Sequence, residues 1–193
     1  MYITAGEETG CTGAATMARE TSLPRVGALV VAEPTGNQPL VGHKGALWLE
    51  AVTTGVTAHG SMPEKGVNAV HKAARAIGAL QDCDFNFARH AFLGGPTLNI
   101  GTIKGGLNIN SVPDRAAIGI DIRTIPGQSH GKIRDQLASY LGDEVALSTL
   151  LDAESVWTSP DDAWIGDVFR ITRKVAGFGD KPAAAPEVRI AAE

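Results

Sequence analysis

Cysteine is scarce. Cys11 and Cys83 are the two in 193 residues, and they form no Cys-x-x-Cys pair. A disulfide framework is therefore excluded, and a reducing cytoplasm is the expected compartment. Excess positive charge is lacking as well: 17 Lys and Arg against 21 Asp and Glu leave a net charge of -4, without the basic footprint that a nucleic-acid partner requires. No uninterrupted apolar stretch is long enough to cross a bilayer, so no membrane partner is expected. The opening Met1-Tyr2-Ile3-Thr4 has neither the positive nor the apolar region of a signal peptide. Gly105-Gly106 is followed by no Gly-Lys-Ser/Thr, which removes a phosphate loop. What remains is 44% hydrophobic and 20% charged, ordinary for a globular chain with a real core, as one domain or two small ones.

Two short apolar runs end in carboxylates: Thr4-Ala5-Gly6-Glu7-Glu8-Thr9-Gly10, and Ala28-Leu29-Val30-Val31-Ala32-Glu33-Pro34-Thr35. Read as buried strands, they carry their acids at the C-terminal tip, where open α/β sheets bind ligands. Between them, Gly13 to Glu20 reads as a short helix of good formers. A different pattern begins near Gly42. A strand at Ala46–Val52 precedes a helix at Gly66–Leu80, whose Val67, Val70, Ala73, Ala74 and Ile77 share one face. Strands follow at Thr97–Ile103 and Ala116–Arg123, the latter alternating Ile118, Ile120 and Ile122 with Gly119, Asp121 and Arg123. A second helix starts after the N-cap Ser129, and a last strand alternates through Val145, Leu147, Thr149 and Leu151. The order βαββαβ is the ferredoxin-like, split-βαβ plan, with helices on one face of an antiparallel four-stranded sheet. A further helix capped by Asp161 or Asp162 closes the pattern, and nothing in Gly177 to Glu193 is expected to complete a sheet. The expected division is a partial α/β domain at 1–41, the βαββαβ domain at 42–154, and a second partial piece at 155–193.

Several side chains are candidates for chemistry, each with a plainer reading beside it. Glu7, Glu8 and Glu33 together suit a metal ion plus a general base; singly they read as helix first-turn or strand-end acids in solvent. His59 lies in the Gly- and Pro-punctuated loop Thr57-Ala58-His59-Gly60-Ser61-Met62-Pro63, and is either functional or a solvated loop histidine. Asn110 is a turn asparagine unless its loop faces a cleft. Arg123 either clamps a carboxylate bidentately or pairs with a surface acid.

Taken in order, Glu7-Glu8-Thr9-Gly10, Glu33-Pro34-Thr35, Gly42-His43-Lys44-Gly45, the run from Ala58 to Ala69, Gly105-Gly106 leading to Asn110-Ser111-Val112-Pro113-Asp114, and Asp121-Ile122-Arg123 resemble the metallopeptidase family that includes acetylornithine deacetylase, succinyl-diaminopimelate desuccinylase, aminoacylase and carboxypeptidase G. The resemblance implies an α/β zinc-peptidase domain with two zinc ions, or cobalt in their place. It also implies an inserted lid that makes a homodimer, and a small N-acyl amino acid or peptide as substrate. It casts Glu7 as the general base, Glu8 and Glu33 as metal ligands, His59 as the lid histidine that stabilises the oxyanion in the partner subunit's site, and Asn110 and Arg123 as contacts to the substrate's carboxylate end. The histidines and bridging aspartate that the family adds to this ligand set have no counterpart among these residues, and Gly6 stands where the family commonly has aspartate. The expectation is therefore a fragment of a hydrolase that is inactive alone and binds zinc weakly or not at all. A non-catalytic dimerisation module is the alternative, and a small-molecule-binding regulatory domain on the same plan a more distant one.

Overall fold

Alternation in the middle of the chain drives the architecture of the computed structural model, which describes residues 3–7, 11–20, 26–33, 35–36 and 38–177, with the backbone of 183–185. The chain divides into two units, one formed by 1–42 with 157–193 and the other by 43–156.

In the second unit, β2 (Gly45–Thr54), β3 (Thr97–Gly105), β4 (Arg115–Thr124) and β5 (Val145–Ala153) form one antiparallel sheet in the order β3-β4-β2-β5. Register places Leu47 opposite Ile122, Leu49 opposite Ile120 and Ala51 opposite Ile118. Period-two alternation then puts all six on one face. Two helices cover that face. In α2 (Ala69–Gln81) the small Ala69, Ala73 and Ala76, with Leu80, allow close approach to the strands; α3 (His130–Leu141) contributes Ile133 and Leu137. Their starts are set by polar caps: the Asn68 side chain accepts from the His71 N–H and Ser129 from the Lys132 N–H. Leu49 is fully buried, so Leu49→Ala is expected to cost roughly 2–5 kcal/mol of folding stability in a denaturant titration. A loss below about 1 kcal/mol would mean that this face is not the core.

The first unit holds α1 (Thr12–Glu20), α4 (Ala163–Ala176), β7 (Ala183–Ala185) and all but one boundary residue each of β1 (Leu40–His43) and β6 (Val156–Trp157). Here β1 sits between β6 and β7, and Val41, Ile165 and Phe169 bury against Trp157. Asp162 caps α4 by accepting from the Trp164 and Ile165 N–H groups. Three expectations for the flanking segments are corrected. Residues 26–33 form no strand, and Val26, Leu29, Val30 and Val31 are 57–77% exposed; no strand among the described residues pairs with them, and an apolar run without a partner has no ladder to join. Conversely, the C-terminal segment does add to a sheet, through β7. The Thr4–Glu7 portion of the first expected strand is also irregular, and Glu8 lies outside the described residues.

Candidate functional site

The loop after β2 is built by close backbone approach. Val56 and Val67 exchange both N–H···O bonds at 2.8 Å, closing residues 56–67 into a compact excursion. A side chain on Gly55 would collide with the Val67 carbonyl, so glycine is required there. Within the excursion, the Gly60 N–H donates to the Asn110 carbonyl at 2.7 Å and the Val112 N–H donates to the Ala58 carbonyl at 2.8 Å. His59 is thereby paired with Ser111, and the His59 and Asn110 loops become one platform. Sequence separation had left these two candidates unrelated; the ladder between 58–60 and 110–112 joins them.

His59 is exposed, and its ring is oriented locally. Nδ1 lies 2.8 Å from Ser61 Oγ and accepts the Ser61 backbone N–H at 3.2 Å. A backbone N–H can only donate, so the neutral ring keeps its proton on Nε2 and presents that N–H outward. A nitrogen-detected NMR spectrum is expected to show the Nε2–H tautomer for neutral His59; a dominant Nδ1–H form would contradict this orientation. The Asn110 amide is exposed and has no hydrogen-bond partner among the described residues. Beside it, Leu107 and Ile109 are 93% and 104% exposed, an apolar tip next to two polar groups that can donate.

Arg123 is not part of that platform. β4 runs straight from Arg115, which pairs with Thr54 near the loop, to the Arg123–Thr124 end, about 26 Å away at ~3.3 Å per residue. There the Asp121 carboxylate accepts from Arg123 Nε at 2.9 Å and from Trp48 Nε1 at 2.9 Å. This fixes the guanidinium, whose Nη1 is buried without a partner.

In the first unit, Glu7 is half-buried and Glu33 exposed. Burial pushes the Cys11 thiol pKa up, and the charges of Glu7 and Glu33 push it further, so both carboxylates lie within electrostatic reach of one point. Among the described residues no group of three or more His, Cys, Asp and Glu side chains is placed to hold a metal ion. The described donors do not fit a two-zinc centre, which needs imidazole and bridging carboxylate ligands as well. A further polar constellation lies elsewhere in the sheet: His130, 4% exposed, bridges the exposed Asp152 (2.6 Å) and the buried Thr124 (2.7 Å). Nothing in the spacing of these residues signals it before the sheet is assembled.

Comparison with known proteins gives this geometry a family. Residues 41–147 match the sequence model of the peptidase dimerisation domain. The acetylornithine deacetylase of Proteus mirabilis (strain HI4320) is 36% identical over 148 residues, which is 73% of this chain and 38% of that protein. The chain thus spans about two fifths of the length of the curated relatives it matches. Among solved structures, a tripeptidase from Staphylococcus aureus aligns over 96% of this chain and 50% of its own, with TM-score 0.67 and 21% identity. A metallo-carboxypeptidase from Sulfolobus solfataricus aligns over 82% and 48%, with TM-score 0.59 and 19% identity; at such identities the likeness is one of fold. On its sequence and its sheet, this chain belongs to the peptidase dimerisation domain family.

Proposed function

We propose that residues 42–154 are the lid and dimerisation domain of a metal-dependent amidohydrolase acting on N-acyl amino acids or small peptides, as an acetylornithine deacetylase does. Residues 1–41 and 155–193 are read as pieces of its catalytic domain. The carrying observation is that His59 and Asn110 sit at one end of the sheet and Arg123 at the other. One small substrate cannot touch both ends of the same sheet. Antiparallel pairing of an edge strand with its own copy across a two-fold axis sets the His59 end of one lid beside the Arg123 end of the other. β3 is the edge that suits this: it is exposed from Gly101 to Gly105, carries Ile103 at 52% exposure, and leads into Leu107 and Ile109.

In this reading each active site takes Arg123 from one copy for the substrate carboxylate, and His59 and Asn110 from the other as hydrogen-bond donors to the developing oxyanion and the substrate. Glu7 acts as general base, and Glu8 and Glu33 as metal ligands, completed by residues other than those described. The 193-residue polypeptide alone is accordingly expected to turn over no substrate and to retain little zinc after dialysis; zinc at unit stoichiometry would contradict that. A second reading, a non-catalytic dimerisation module, draws support from the self-contained core of residues 43–156, and shares the same interface. Light scattering tests what the two readings share. A dimer is expected, with Ile103→Lys shifting it to monomer because a lysine on a strand edge opposes pairing. A strictly monomeric wild-type chain at high concentration would overturn both.

A further inference from the structure

The Arg123 end of the sheet holds more positive charge than one substrate carboxylate needs. A tight turn, in which His90 and Gly94 exchange backbone hydrogen bonds at 2.8 and 2.9 Å, folds Arg89 back over Gly94 and Gly95. A Cβ on Gly94 would lie 3.3 Å from the Arg89 guanidinium, and one on Gly95 3.6 Å away. From the other side, Lys44, 6% exposed, donates to the Gly95 carbonyl at 2.6 Å. Gly95 is therefore held between two cations, two residues before Thr97, which pairs with Arg123. Ala46, two residues after Lys44, pairs with Arg123 from the opposite strand.

Three cations thus converge where one carboxylate, Asp121, is already bonded to Arg123 and Trp48. Arg89 has no ion pair or hydrogen bond among the described residues, and Arg123 Nη1 is buried without a partner. Burial together with the charges of Arg89 and Arg123 pulls the Lys44 pKa down, as expected of a cluster short of counter-charge. Arg89 also lines a cavity of about 430 Å³ whose walls include Asp84, Phe85, Phe87, Leu98 and Asn99. That volume suits a small organic ligand rather than a bare ion.

We propose that Arg89 is a specificity-determining residue that receives a second carboxylate, so that the substrates are N-acyl amino acids carrying two carboxylates: one held by Arg123, the other by Arg89 with Lys44 behind it. The inference rests on the hydrolase reading, which assigns the first carboxylate to Arg123. The second carboxylate belongs either to the amino-acid side chain or to the acyl group. The recognition is the same, a guanidinium fork among the residues that line a part-apolar cavity.

Calorimetric titration of the 193-residue chain tests this with N-acetylglutamate, N-succinylalanine, N-acetylalanine and sulfate at constant ionic strength. At least one of the two dicarboxylates is expected to bind about tenfold more tightly than N-acetylalanine, and the tighter of the two identifies the source of the second carboxylate. Arg89→Gln is expected to abolish the dicarboxylate advantage while leaving N-acetylalanine unchanged. Equal affinities in the wild type, no binding, competition by sulfate as strong as by the dicarboxylates, or an advantage that survives Arg89→Gln would each overturn the proposal. Arg123→Gln separates the two claims: it should weaken all three carboxylates, and undiminished N-acetylalanine binding would overturn the role given to Arg123 and hence the hydrolase reading, whatever Arg89→Gln does.

Discussion

In a full-length hydrolase carrying this segment, Glu7→Gln is expected to lower kcat by roughly 10²–10⁴, the range spanned by a positioned general base, while metal content stays unchanged. The amide keeps the shape and hydrogen-bonding volume of the carboxylate but cannot take up a proton. Glu7 is half-buried, and its charge reaches the Cys11 thiol together with that of Glu33. The two acids that lie far apart in sequence therefore share one electrostatic neighbourhood. Retained metal with lost turnover would separate the proton-transfer role from a ligand role. Wild-type turnover in Glu7→Gln would sink the assignment outright.

His59→Ala should have a comparable effect by a different route. The Ser61 contacts pin Nδ1 and leave Nε2–H as the outward donor, and a donor aimed at a developing oxyanion is worth roughly 10²–10³ in kcat. The loss should fall on kcat rather than KM, because the ground-state carbonyl carries less charge than the transition state. Ser61→Ala keeps the backbone N–H on Nδ1 and should cost far less. If His59→Ala raised KM alone, the histidine would be a binding contact and no oxyanion donor.

Much of the dimerisation domain was legible in the sequence because its elements bury one face. Ile118, Ile120 and Ile122 can alternate with Gly119, Asp121 and Arg123 only in a half-buried strand, and Ser129 and Asp162 mark helix starts by the hydrogen bonds they accept. α2 starts at Ala69, a few residues later than the spacing from Gly66 predicts. Gly66 looked helical by spacing, but a 3-10 turn at Pro63–Lys65 and the Val56–Val67 pairing use that stretch, and Asn68 caps the helix instead. The run at Val26–Ala32 failed for the opposite reason: unbroken apolar character says that a segment would be buried in a sheet, not that a partner strand is present. Ala183–Ala185 carries no alternation at all, so its pairing was invisible. Within the candidate site, the residue types single out the loops at His59 and Asn110, but say nothing of how those loops are arranged. Asn110 and Arg123 are close in sequence, yet β4 carries them to opposite ends of the sheet. The convergence of Lys44, Arg89 and Arg123 depends on a turn at Arg89–Gly95 that no short motif announces.

The most direct test of the shared-site claim is to mix His59→Ala and Arg123→Ala variants of the full-length hydrolase, each inactive alone, and to assay after subunit exchange. A mixed dimer would own one intact site, with Arg123 from the first variant and His59 from the second, beside one doubly defective site. Equal mixing makes half of the dimers mixed, so recovery of about a quarter of wild-type activity is predicted for isologous pairing. No recovery, with mixed dimers present by native mass spectrometry, would show that His59 and Arg123 serve the same site from one subunit or serve none.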